Sequence, residues 1–75
     1  MTVRDMIDSG IEFQGTVMIR EFNQDTGEMV RENLTSLALK DGDDILDREV
    51  KYMYKPSFPW ERWDFVIEVA AKEGA

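Results

Sequence analysis

The side chains able to do chemistry in this 75-residue chain are sixteen Asp and Glu and nine Lys and Arg, with neither Cys nor His among them. Without thiol or imidazole there is no thiolate nucleophile, none of the usual ligands for zinc, copper or iron, and no group that ordinarily titrates near neutrality. Acid–base work would fall to a carboxylate or lysine with a strongly shifted pKa, which needs a deep pocket that so short a chain can hardly enclose. Glu61 and Asp64 lie close in sequence, but no phosphate-binding glycine loop, GxGxxG or GxSxG motif accompanies them. Asp41-Gly42-Asp43-Asp44 has the composition of a calcium loop without its spacing. Counted from Asp41, the positions that require Gly and Glu hold Leu46 and Tyr52. The sequence therefore predicts no enzyme, no cofactor and no dedicated metal site, and leaves binding as the expected activity.

Two groups of residues suit binding. The segment 52–63 gathers Tyr52, Tyr54, Phe58, Trp60 and Trp63 around Pro56 and Pro59, with Lys55 and Arg62 among them. Trp is prominent in binding hot spots, and aromatics beside cations can stack a base while the cation meets a phosphate. The competing reading folds a Trp over an open end of a small core. Trp60, after Pro59 on a loop tip, favours the first, and Trp63 the second. The other group is acidic: Asp41, Asp43, Asp44, Asp47 and Glu49 crowd into nine positions. With a net charge of −7 they argue against binding nucleic acid over a broad surface. The same excess is ordinary for a soluble protein, or imitates a nucleic-acid backbone.

Elements to position these groups follow from hydrophobic period and turn chemistry. Thr2 with Asp5 three residues on forms a capping box, and Val3, Met6 and Ile7 recur at helical spacing. A two-turn helix is predicted over 3–9, ended by Gly10 with Ile11 folding back in a Schellman cap. Strand signals cover 13–22, 28–34, 49–55 and 64–71, and Asp25-Thr26-Gly27 reads as the turn of a hairpin between the first two. Residues 35–47 read as a loop with one helical turn at Ile45-Leu46-Asp47, capped by Asp43 or Asp44. The tail 72–75 is expected to fray. The fold class is α+β: a short N-terminal helix packed on a four-stranded antiparallel sheet, in meander order, as one domain over 1–75.

Period-two alternation sorts the strands into two faces. Val17, Ile19, Val30, Leu34, Val50, Tyr52, Tyr54, Phe65, Ile67 and Val69 are predicted on the core side, beneath Met6, Ile7 and Leu46. Met18, Arg20, Phe22, Met29, Arg31, Lys51, Met53, Lys55, Val66 and Glu68 fall on the other. That second face reads either as a contact surface of methionines and cations or as long stems lying over a solvated sheet. A chain of this size buries only about 60–65% of its unfolded surface. Lacking disulfide and metal, it is expected to pack tightly on its aromatics or to form a homo-oligomer.

The opening Thr2-Val3-Arg4-Asp5-Met6-Ile7-Asp8-Ser9-Gly10-Ile11-Glu12-Phe13-Gln14-Gly15 resembles the start of short, mostly uncharacterised proteins of phages and mobile elements of Firmicutes-type bacteria. Leu46-Asp47-Arg48-Glu49-Val50 resembles a later Leu-Asp-Arg-Glu motif of the same pattern. The resemblance implies context and no site residues: small phage proteins of this kind act by binding a host protein or sequestering a host molecule. The first expectation is an inhibitor that occupies the surface of a host defence or regulatory protein, with the acidic stretch as a nucleic-acid mimic. The alternative is a homo-oligomeric sponge that traps a small nucleotide through Arg20, Arg31, Lys51, Lys55 and Trp60, with Met18 and Met53 at its interface. An accessory interaction domain is the third. A cytoplasmic location is expected, since no cationic start precedes an apolar run and no segment approaches a membrane span.

Overall fold

Thr2 accepts a hydrogen bond from the Asp5 amide and Asp5 accepts one from the Thr2 amide, and this capping box opens α1, Val3–Asp8. The helix closes as expected. Gly10 takes a φ of 92°, its amide donates to Ile7, and the Ile11 amide donates to Met6 at 3.1 Å. In this computed structural model, which describes residues 1–72, there follow β1 (Val17–Phe22), β2 (Met29–Leu34), α2 (Thr35–Asp41), a 3-10 turn (Asp44–Asp47), β3 (Val50–Tyr54) and β4 (Phe65–Ala70). Of the tail predicted to fray, all but Lys72 lies outside the described residues.

The β1–β2 hairpin forms as the turn residues predict, with Gly27 at a φ of 75° and the Asn23 side chain accepting from the Asp25 and Thr26 amides. The rest of the sheet corrects the antiparallel meander. Its order is β2-β1-β4-β3, two antiparallel hairpins joined through a parallel pairing of β1 with β4. The strand sequences explain this. β4 is apolar on both faces, with Val66, Ile67 and Val69 fully buried, which suits the middle of a sheet. β2 and β3 carry Arg31, Glu32, Asn33 and Lys51 and take the edges. Residues 35–49 supply the length needed to place β3 away from β2.

That connection contains α2, a second helix where a loop was expected. Its start is concealed because Leu34, at the N-cap, makes no capping bond, while the Thr35 hydroxyl donates to the Val17 carbonyl at 2.9 Å. Its end is plain: Gly42 is left-handed at a φ of 67° and the Asp43 amide donates to Ala38. The helical turn after it begins one residue early, capped by the Asp43 carboxylate on the Ile45 amide. Val3, Ala38, Ile45 and Leu46 from the helical side close on Val17, Ile19, Ile67 and Val69 to form the core.

Two bulges shift the expected faces of the edge strands. Glu21 pairs with Arg31 and Phe22 with Met29, so Val30 is left over and exposed. Arg31 and Asn33 consequently face the helices, and Leu34, opposite Met18, does not. In β3 the register slips between Val50 and Tyr52, which leaves Lys51 unpaired. Tyr52 and Tyr54 therefore share the face of Glu68 and Val66, and Met53 stands with Ile67 on the helix side. Arg31 and Met53 thus leave the second face, and Lys51 and Lys55 are not aligned with Arg20 on it.

Candidate functional site

The middle of the sheet face away from the helices is covered, since Met18 and Val66 on it are buried, while Tyr52 at its β3 edge is exposed. The segment that closes it is the β3–β4 connection, 55–64. Its C-terminal part is tied down. The Arg20 guanidinium lies over the Trp63 ring, 5.2 Å from its centre, and donates to Glu61 through Nη2 and to Glu32 through Nε at 3.1 Å. Burial lowers the Arg20 pKa, but the hydrogen bonds to Glu61, Glu32 and Tyr54 more than reverse this and hold it above its ordinary value. Tyr54 is pushed up, first by burial and then by Glu68. Next to Trp63, the Thr16 amide donates to the Asp64 carboxylate at 2.9 Å, and the Asp64 amide donates back to Thr16 at 2.8 Å. Gly15 is required there, because a Cβ at its φ of 81° would run into the Asp64 carboxylate.

Ahead of these anchors the loop points its apolar side chains into water. Phe58 and Trp60 stack on each other at 4.5 Å and 14°, yet are 54% and 70% exposed. Pro59 fixes the backbone between them. Trp63 is therefore the tryptophan used in folding and Trp60 the one left outside. Phe58 was legible only as one of a cluster of aromatics, since spacing does not say which rings the sheet will cover. Among the described residues, Lys55 and Arg62 beside the tip have no carboxylate within ion-pair reach, and neither has Lys51.

The other cations of the expected basic face are engaged. Arg20 is held as described. Arg31, on the opposite side of the sheet, donates to the buried carboxylate of Glu21, to Asp43 at 2.9 Å and to Asp44 at 2.6 Å. Arg48 donates to Glu21 at 3.0 Å and to Asp44 at 2.8 Å. Burial opposes protonation of Arg31, and its bonds to Asp44 and Glu21 raise its pKa on balance; Arg31 in turn lowers that of Asp44. Glu21, 3% exposed, went unnoticed in the sequence because its partners lie far along the chain.

The acidic stretch is likewise drawn into the fold. Asp43 caps the 3-10 turn and accepts from Arg31 and Asn33, Asp44 joins Arg31 to Arg48, Asp47 accepts from Arg4, and Glu49 holds the terminal ammonium at 3.1 Å. Asp41 alone of the five lacks an ion-pair partner among the described residues. Met18 is buried and Met53 is 46% exposed, on opposite faces of the sheet. The structure thus separates the predicted site residues and leaves the Phe58–Trp60 tip as the apolar feature presented by an anchored loop. No helix among the described residues is long and apolar enough to cross a membrane. Comparison with family models, curated proteins and solved structures finds no match to the chain.

Proposed function

We propose that the chain is a non-enzymatic binding protein that occupies the surface of another protein with the Phe58–Trp60 tip. The observation that carries this reading is the contrast within one loop. Its C-terminal part is fixed by Arg20 through Glu61 and Trp63 and by Asp64 on Thr16, and its two largest free rings, just ahead of these contacts, are held in water as a stacked pair. Rigid aromatic anchors that need no ordering on contact are what dominate interface energetics. A wedge of this shape suits an inhibitor that fills a pocket on its target, the role expected from the resemblance to phage proteins, with a host defence or regulatory protein as partner.

Acidic mimicry receives less support, because Asp43, Asp44, Asp47 and Glu49 already hold cations of the same chain. A nucleotide sponge would have to recruit Arg20 and Arg31 from opposite faces and out of their carboxylate contacts. The readings separate in a paired capture from bacterial extract. Wild-type, Trp60→Ala and an acid-neutralised Asp41→Asn/Asp47→Asn/Glu49→Gln chain serve as baits, and retained proteins are quantified. A partner lost with Trp60→Ala and kept by the acid-neutralised bait is expected. The opposite pattern sinks the tip reading in favour of mimicry.

A further inference from the structure

We infer that a second copy of this chain places its Phe58–Trp60 tip in the groove between α1 and α2. The groove has a volume of about 460 Å³ and is lined by Ile7, Ile11, Phe13, Val17 and Leu39, with Ile11 and Leu39 left 45% and 48% exposed. Its size is that of a cleft able to take up a compact organic group. The tip does not fill the groove of its own chain, since Trp60 is open to solvent.

Charge complementarity identifies the occupant. Among the described residues Glu12 is the one charged side chain lining the groove, and the tip is flanked by Lys55 and Arg62, cations without a carboxylate partner among the same residues. The remaining route to self-association is guarded: both edge strands carry a bulge, and β3 adds Lys51 at its bulge and Lys55-Pro56 at its end. Since tip and groove are different surfaces of one chain, each contact seats one copy's tip in another copy's groove. The inference rests on the tip being a contact surface and makes the second copy and the target compete for it, whereas that reading stands without the second copy.

The test is the mass of the full chain by light scattering over a concentration series, for wild type, Trp60→Ala and Leu39→Lys. Lysine suits the last turn of α2 and repels the cations of the tip. Thermal melts check that each variant folds, and Ile11→Lys replaces Leu39→Lys if that chain does not. The wild-type mass is expected to rise with concentration, and each variant to associate at least about 30-fold more weakly, as loss of a hot-spot residue implies. An equimolar mixture of the two variants is expected to form a one-to-one pair, because one supplies an intact groove and the other an intact tip. A wild type that stays monomeric, variants that assemble as wild type does, or a mixture that fails to pair overturns the inference. A monomeric wild type that still loses its captured partner on Trp60→Ala removes the second copy and leaves the proposed function intact.

Discussion

Replacing Glu61 with Gln removes the charge that fastens the β3–β4 loop to the sheet. The Glu61 side chain is 9% exposed and that of Arg20 17%, so the pair is largely out of water. Deleting one member of a buried pair costs about 3–5 kcal/mol where nothing compensates. Arg20 keeps Glu32 and its contact with Trp63, which brings the expected loss to about 2 kcal/mol. Total stability at this length is about 4–11 kcal/mol, so the melting temperature falls by about 8–16 °C. Loss of one negative charge from a chain at −7 acts the other way, and a drop therefore reports the lost contact. Circular dichroism gives the melt. In a Trp60→Phe background, Trp63 fluorescence reports the loop and shifts red before the sheet unfolds. A melt within about 2 °C of the parent and an unmoved Trp63 emission refute the latch.

Trp63→Ala should cost about 3 kcal/mol, and Trp60→Ala no more than about 1 kcal/mol, in urea titrations followed by circular dichroism. Trp63→Phe should fall well below Trp63→Ala, because the buried indole N–H has no partner among the described residues and phenylalanine removes it while keeping the ring. Gly15→Ala combines a disfavoured positive φ with collision against Asp64 and should cost about 2 kcal/mol or more; adding Asp64→Ala should return only the collision part, which a double-mutant cycle measures. Asp44 is held below the usual carboxylate range by Arg31, so the stability it contributes is complete above its unfolded value of about 4 and is lost as pH falls through the lower folded value. Asp44→Asn should accordingly flatten the decline of melting temperature below about pH 4, and an unchanged acid limb would count against the Arg31 contact.

Local signals in the sequence were sufficient for α1, its cap at Gly10 and the first hairpin, because Thr2, Asp5, Gly10 and Gly27 act on neighbours a few residues away. α2 escaped notice for a physical reason: Leu34 at its N-cap makes no capping bond, and Thr35 spends its hydroxyl on Val17. The strand order is readable in principle, since Phe65–Ala70, apolar but for Glu68, suits a central strand, but a meander is the shorter path. The faces of β2 and β3 failed at the two bulges, where one extra residue inverts everything beyond it. The site was legible in its aromatics and not in its charges. Whether Arg20 and Arg31 face water or carboxylates depends on Glu61, Glu21, Asp43 and Asp44, which only the folded chain brings to them.

The account stands most directly on one paired measurement of the Phe58→Ala/Trp60→Ala chain, in which thermal melting and quantified capture from bacterial extract are compared with wild type. A melting temperature within about 5 °C of the parent together with loss of the captured partner is the predicted result. A chain that melts far lower, or that retains the same proteins as wild type, would mean that the tip belongs to the fold or to nothing, and would contradict the claim that it is the binding surface.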